Sequence, residues 1–368
     1  MIELIINWMK ELGVNLGFFR LYGYITFRAM IALSTSLLFT LFFGFRIITY
    51  LYRKRMWDTS GGYLSIDSTT KKGTPTSGGL IILVSTFFSV FWWARWGNPF
   101  IITSALAFAY FGLVGFIDDW QKVKYKSSLL GLSQKAKTLL MLLFIVPFAL
   151  YFVSGFSPIP ASIVTPLYLP FFKHPIADLG SVGYAVFVVF VFFSILNSIN
   201  ITDGLDGLLS GSVVMTIGVY GIFAYIIGNK ILAGHYLFEH IPNIAELTVM
   251  VGAIIGSLLG FLWFNSYPAE VFMGDTGSLS IGAVMAVMVC FTKQEFLFII
   301  AGGVFFIEIL TSFIQEKVGN RIGRRIFYRA PIHHSYVHQG IAEPKTVIRF
   351  WIISLLLSFI ALLSIKIR

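Results

Sequence analysis

The residues best suited to chemistry are Asp118, Asp119, Asp203, Asp206 and Asp275, carried by the strings IDDW, ITDGLDG and MGDTG at the ends of long apolar stretches. Only 12% of the chain is charged, and a carboxylate beside a hydrocarbon layer is costly enough to mark a site by default. Carboxylates that converge repel one another unless cations offset them. One such partner is a divalent ion, and an all-oxygen donor set favours a hard ion such as Mg²⁺ or Mn²⁺ over zinc. The other is the set of lysines on adjoining loops, chiefly Lys71, Lys122 and Lys135. Carboxylates, a hard cation and mobile ammonium groups together suit phosphate esters, so phosphoryl transfer is the reaction class these residue types imply.

Helices must position these groups. Of the 368 residues, 57% are hydrophobic and the mean hydropathy is +0.83, outside the range of a soluble domain of this size. Ten continuously apolar stretches lie at roughly 22–50, 78–95, 99–117, 137–155, 181–199, 207–228, 246–264, 276–292, 295–315 and 348–366. Each is long enough for a bilayer of roughly 30 Å, which takes about 20 helical residues. The runs do not alternate with period two, which excludes a barrel and predicts an all-α polytopic membrane protein of one domain, 1–368. Residues 1–21 lack a basic start and a small-residue cleavage site, so they are predicted to form an interfacial helix rather than a signal peptide. Cys290 has no partner, so no disulfide framework exists. The proline-rich stretch 156–175 predicts a short hairpin.

The basic residues between the stretches divide unevenly. Arg53, Lys54, Arg55, Lys71, Lys72, Lys122, Lys124, Lys126, Lys135 and Lys137 join the basic group of 317–345 on one face. The opposite face has Lys10, Arg20, Arg95, Lys173, Lys230, Lys293, Lys366 and Arg368. The richer face is predicted to be cytoplasmic, which puts both termini outside. The same alternation, set without the acidic motifs, carries all five aspartates, the KKGTPTSGG loop and PIHHSYVH to that face as a single site. The formal charge of +10 needs no nucleic acid, because basic loops also meet the anionic headgroups of membrane lipids.

Each motif also has a plainer reading. Asp118 and Asp119 point about 100° apart on a helix, so one can face the site while a neighbour holds the other. Asp203 and Asp206 would share a face if they were helical. KKGTPTSGG is not a Walker A loop, since its lysines precede the glycines; Lys71 and Thr76 either meet phosphate or flank a turn into the second span. His333 and His334 follow a proline in a polar loop, where histidines are often surface residues. Asn200 and Asn265 can cap helices or recognise a base or sugar.

Taken in order, GTPTSGG, GFIDDW with Lys122, NSINITDGLDG, FLWFNSYPAEVFMGDTGSL, QEFLFIIAGGVFFIE, APIHHSY and RFWIISLLL closely resemble the motifs of the polyprenyl-phosphate N-acetylhexosamine-1-phosphate transferases. APIHHSY and the RFWIIS ending resemble the phospho-N-acetylmuramoyl-pentapeptide transferase branch in particular. The resemblance runs from about residue 70 to 357. It implies a Mg²⁺-dependent enzyme of the bacterial cytoplasmic (inner) membrane. Its expected reaction passes phospho-N-acetylmuramoyl-pentapeptide from UDP-MurNAc-pentapeptide to undecaprenyl phosphate and releases UMP. By motif position Asp118 matches the proposed general base, and Asp275 matches a carboxylate assigned to the metal or, in a two-step scheme, to nucleophilic attack. The metal role is favoured here because direct attack by the lipid phosphate needs no covalent intermediate. Asp119, Lys122, Asn200, Asp203, Asp206 and Asn265 match positions lining the nucleotide and diphosphate site; Lys71, Thr76 and Lys135 match less closely, with Lys137 competing with Lys135. His334 matches an essential histidine, with His333 beside it. Many members have a third histidine and a glutamate where this chain has Ser335 and Val337, with His338 one step further.

Two other readings compete. A sibling transferring GlcNAc-1-phosphate to the same lipid shares the aspartate motifs but not APIHHSY. An ion-coupled transporter also keeps acids in the membrane, yet its sign is paired broken helices at the midplane, whereas these acids sit at segment ends. The oligomeric state stays open, a homodimer included.

Overall fold

In the computed structural model, which describes residues 1–12, 17–57, 73–125 and 131–367, every one of the ten apolar stretches is helical. Two short helices, α1 (Ile2–Glu11) and α2 (Gly17–Tyr22), precede α3 (Ile25–Arg53), α4 (Gly79–Trp93), α5 (Pro99–Lys124) and α6 (Gln134–Val153). A single turn, α7 (Ala161–Val164), leads into the predicted hairpin, two antiparallel two-residue strands, β1 (Pro166–Leu167) and β2 (Ala177–Asp178). There follow α8 (Gly180–Thr202), α9 (Leu208–Gly228), α10 (Lys230–His235), α11 (Leu247–Asn265) and α12 (Gly274–Phe291). The chain ends with α13 (Leu297–Ala301), α14 (Gly303–Phe313), α15 (Ile332–His338) and α16 (Glu343–Leu363).

Among the described residues eight helices are long and apolar enough to cross a membrane, and the chain is a multi-pass membrane protein. Two of the ten expected spans differ in form. The stretch 78–95 yields only the fifteen residues of α4. The stretch 295–315 is broken at Gly302, a poor helix former that separates α13 from α14, whose first residue is a second glycine, Gly303. Other boundaries follow local chemistry. Asn98 caps α5 by accepting the Phe100 N–H at 2.9 Å ahead of Pro99 in the first turn, and Ser133 caps α6.

The centre of the bundle is α12, in which every residue from Thr276 to Phe291 is buried, packed against α5, α8 and α4. Small residues allow that approach, as they do in membrane helices generally. The closest pairing, α3 on α11, uses Gly252, Gly256 and Gly260: a Cβ on Gly256 would lie 2.0 Å from the Leu33 carbonyl oxygen. At the end of the bundle where α3 begins, buried Arg28 donates two hydrogen bonds to Glu246, at 2.7 and 2.5 Å, so the charge is paired where water is excluded. The acidic motifs gather at the opposite end.

Candidate active site

The carboxylates of Asp118, Asp119 and Asp275 offer oxygen atoms that all lie within 4.8 Å of one another. Two come from consecutive residues of α5 and the third from the first turn of α12. The helices meet with no side chain between them at this level, since a Cβ on Gly115 would stand 2.1 Å from the Asp275 carbonyl oxygen. Gly274, at φ +71°, turns the chain into α12 in a conformation that suits glycine.

The neighbouring acids of α5 divide as their angular spacing predicts. Asp119 turns to the start of α12. Its Oδ1 accepts the Asp275 backbone N–H at 3.0 Å; its Oδ2 accepts the Thr276 N–H at 3.0 Å, the Thr276 hydroxyl at 2.6 Å and the Ser77 hydroxyl at 3.1 Å. It therefore caps α12 from another helix, satisfying N–H groups that a helix start leaves without partners. Asp118 faces the cluster. Its Oδ1 accepts the Leu132 N–H at 2.7 Å, and its Oδ2 lies 2.7 Å from Lys122 Nζ and 3.7 Å from Lys137 Nζ.

Asp275 is the hub. Its Oδ2 accepts from Lys122 Nζ at 3.0 Å and Lys137 Nζ at 2.5 Å, and its Oδ1 from the Asn200 amide at 3.0 Å. Asn200, in the last turn of α8, also donates to the Ser278 hydroxyl at 2.8 Å, which fixes its amide. The lysine brought here from α6 is Lys137; Lys135 lies exposed on the same helix and outside the cluster. Two ammonium groups against three carboxylates leave a net negative charge, and the donors are oxygens, so the group could hold a hard divalent ion.

Asp203 and Asp206 are not helical. α8 stops at Thr202, Asp203 is its C-cap, and the chain turns through Gly207, at φ +77°, into α9. Asp203 stays near the cluster, and burial together with the charges of Asp275, Asp119 and Asp206 pushes its carboxyl up to about 8. Asp206 ties the turn to other segments: its N–H donates to Glu343 Oε1 at 2.9 Å and its Oδ2 accepts the Ala269 N–H at 3.2 Å. Asn265 acts as a clamp. It accepts the Gly207 N–H at 3.1 Å and the Ser210 hydroxyl at 3.4 Å and donates to the Val271 carbonyl at 2.9 Å, leaving little for a nucleotide. Lys71 lies outside the described residues. Thr76 directly precedes Ser77, the residue that donates to Asp119, and its own N–H donates to the Met56 carbonyl at 2.8 Å.

The histidines lie in α15 rather than a loop. His333 is fully buried, its Nδ1 3.0 Å from Glu308 Oε2, and its Nε2 stands over the Asp203 turn, where a Cβ on Gly204 would approach to 2.2 Å. His334 packs on the His333 ring with centroids 4.2 Å apart. The departures from the family pattern have structural uses. Ser335 accepts the Arg329 N–H at 3.0 Å and donates to the Arg329 carbonyl, while Val337 packs on the cluster of Leu205, Leu208, Val304, Val347 and Phe350. Glu308 drew no role in the sequence reading, although a lone acid in an apolar segment is itself a signal.

Comparison with known proteins agrees with this geometry. Residues 99–293, from α5 to just past α12, match the family described as glycosyl transferase family 4. A phospho-N-acetylmuramoyl-pentapeptide-transferase of Geobacter sp. (strain M21) is 40% identical over 365 residues, 98% of this chain and 99% of its own length. The protein of the same name from Maridesulfovibrio salexigens is 39% identical over 373 residues, 99% of this chain and all of its own, and that of Ruegeria sp. (strain TM1040) is 40% identical over 365 residues, 98% and 99% of the two chains. With similarity of that degree along its whole length, the chain belongs to glycosyl transferase family 4 and, within it, to the phospho-N-acetylmuramoyl-pentapeptide transferases.

Proposed function

We propose that this protein transfers phospho-N-acetylmuramoyl-pentapeptide from its UDP carrier to undecaprenyl phosphate, forming lipid I and UMP, at the cytoplasmic face of the bacterial inner membrane. The observation that carries the reading is the meeting of Asp118, Lys122, Lys137, Asn200 and Asp275 at one end of the helix bundle, within the family just described. Undecaprenyl phosphate approaches through the bilayer and a UDP-sugar through the cytosol, so a site at headgroup level is where the two can react.

Asp119 has its oxygens engaged by four donors that fix the start of α12, so Asp275 is the carboxylate of the group that would hold Mg²⁺, with Asp118 left as the base. When bound, such an ion offsets charge on the diphosphate oxygens. Lys122 and Lys137 act on the same charge as mobile point cations, and Asn200 keeps the Asp275 carboxylate in one orientation. Asp275 is a poor nucleophile in this setting, because both its oxygens already accept hydrogen bonds, two of them from ammonium groups. That favours direct attack by an oxygen of the lipid phosphate on the diphosphate, with UMP leaving and Asp118 accepting a proton where the lipid phosphate carries one. Asp203, Thr76, Lys71 and the His333–His334 pair complete the substrate side of the reading, while Asp206 and Asn265 hold the turn that carries Asp203 and Lys135 is left without a role.

The test is UMP release by the purified protein with undecaprenyl phosphate and Mg²⁺, comparing UDP-MurNAc-pentapeptide with UDP-N-acetylglucosamine, each with and without EDTA. Release from the muramoyl substrate alone, lost with EDTA, is expected. Release from the GlcNAc substrate would assign the protein to the sibling reaction, and no release from either, with folding verified, would overturn the proposal.

A further inference from the structure

We infer that a cavity of about 920 Å³ on the face of α5 turned away from Asp118 and Lys122 seats the phosphate headgroup of an anionic membrane phospholipid. Its mouth is formed by Lys54 and Arg55 just past the end of α3, Lys124 at the end of α5, and the rings of Tyr50, Trp57 and Trp120. Its floor is apolar, with Phe116 and Leu80 among the residues there. No carboxylate lines it among the described residues. Cations over an apolar floor, rimmed by tryptophan and tyrosine, form the pattern of a headgroup site at a membrane interface. Inorganic phosphate would have no use for the floor.

Helix C-termini attract cations by themselves, which accounts for Lys124. It does not account for Arg55. That residue holds φ +58° in the turn that ends α3, where the Met56 N–H bonds back to the Leu51 carbonyl at 3.0 Å, a position glycine usually takes. A side chain there costs backbone strain, and this one adds the third charge to the cavity.

The headgroup bound here is not the reacting phosphate. Trp120 lies about 160° around α5 from both Asp118 and Lys122, so the helix itself separates the cavity from that ion pair. The two are nevertheless linked. Met56 and Trp57 form one wall of the cavity; Met56 accepts the Thr76 N–H at 2.8 Å and Trp57 pairs with Pro75, while the adjoining Ser77 donates to Asp119. An occupant that orders Trp57 therefore steadies the 75–77 segment that holds Asp119.

The experiment measures phospholipid retained by the full-length protein in native mass spectrometry, using phosphatidylglycerol, phosphatidylcholine as neutral control, and inorganic phosphate as competitor. R55G and the combined K54Q/R55G/K124Q variant are compared with the parent. At about 1 kcal/mol for each basic residue near a headgroup, the combined variant is expected to retain phosphatidylglycerol at least about tenfold more weakly, with phosphatidylcholine unchanged. R55G places glycine where the backbone favours it, so its weaker retention cannot be ascribed to misfolding. Unchanged retention of phosphatidylglycerol in both variants would overturn the inference. So would displacement of the lipid by millimolar phosphate, or a raised KM for undecaprenyl phosphate with phosphatidylglycerol retention intact, which would assign the cavity to the substrate.

Discussion

Asp119 accepts the backbone N–H of Asp275 at 3.0 Å, so one acid of the cluster holds in place the helix turn that presents another. The two residues look alike in sequence and should behave differently on substitution. Asp119→Asn replaces one accepting oxygen by an amide donor, which must then face at least one of the four donors. A buried group left without its acceptor costs about 1–3 kcal/mol, which corresponds to a fall of roughly 2–10 °C in Tm. Asp275→Asn keeps an acceptor for Asn200 but takes its charge away from Lys122 and Lys137, so some loss of Tm is expected there too, and its distinguishing mark is a fall in UMP release of at least about 100-fold. Thermal melts in detergent beside the activity assay separate the two. A stable Asp119→Asn protein would remove its capping role.

Lys137 and Lys135 provide a second contrast. Lys137 Nζ lies 2.5 Å from Asp275 Oδ2, whereas Lys135 is exposed. Lys137→Gln removes a cation from the diphosphate region and is expected to lower kcat/KM by about 100-fold or more, while Lys135→Gln stays within about threefold. Equal losses would mean that Lys135 reaches the substrate in the complex.

The fold was largely legible because long apolar runs in a chain of mean hydropathy +0.83 leave helices as the economical way to satisfy the backbone. The break at Gly302 was less so, since a glycine inside a span is often tolerated. At the site, Asp118, Asp119 and Asp275 stood out because acids are rare here, and their division of labour followed from 100° of helical rotation. The choice of Lys137 over Lys135 depends on the register of α6 against α5, which no local pattern encodes. The shared face that Asp203 and Asp206 would have had in a helix is not realised: Gly204 and Gly207 favour a turn here, and the point at which α8 gives way to it, Thr202, is set with a clamp from Asn265 at a distant helix end. Glu308 was passed over because its partner His333 is remote in sequence.

The raised carboxyl of Asp203 gives a pH dependence of definite sign. With a folded value of about 8 against an unfolded value of about 3.9, the native state binds the extra proton between those limits. The stabilisation is complete below about pH 4 and is lost as pH rises through about 8. In EDTA, Tm should fall between pH 6 and pH 8.5, and Asp203→Asn should flatten that part of the curve. A parent-like slope in Asp203→Asn would place the titration elsewhere.

The contact between Gly204 and His333 tests whether the histidine acts or merely fills space. His333 is fully buried between Glu308 and the Asp203 turn, so it has no room to retreat from a methyl group that would stand 2.2 Å from its Nε2. Gly204→Ala should therefore shift either the imidazole or the turn that carries Asp203, and a displacement of about 1 Å at a reacting centre can cost about 100-fold in rate. Gly234→Ala, where a Cβ meets nothing within 4 Å, is the control and should keep parent activity. The combined Gly204→Ala, His333→Ala variant then decides the matter. It removes the clash, so a histidine that only fills space would allow activity to return. If the imidazole is needed where it stands, the double variant stays as inactive as His333→Ala alone, and that is the outcome expected from a buried, carboxylate-held ring aimed at the turn beside the cluster.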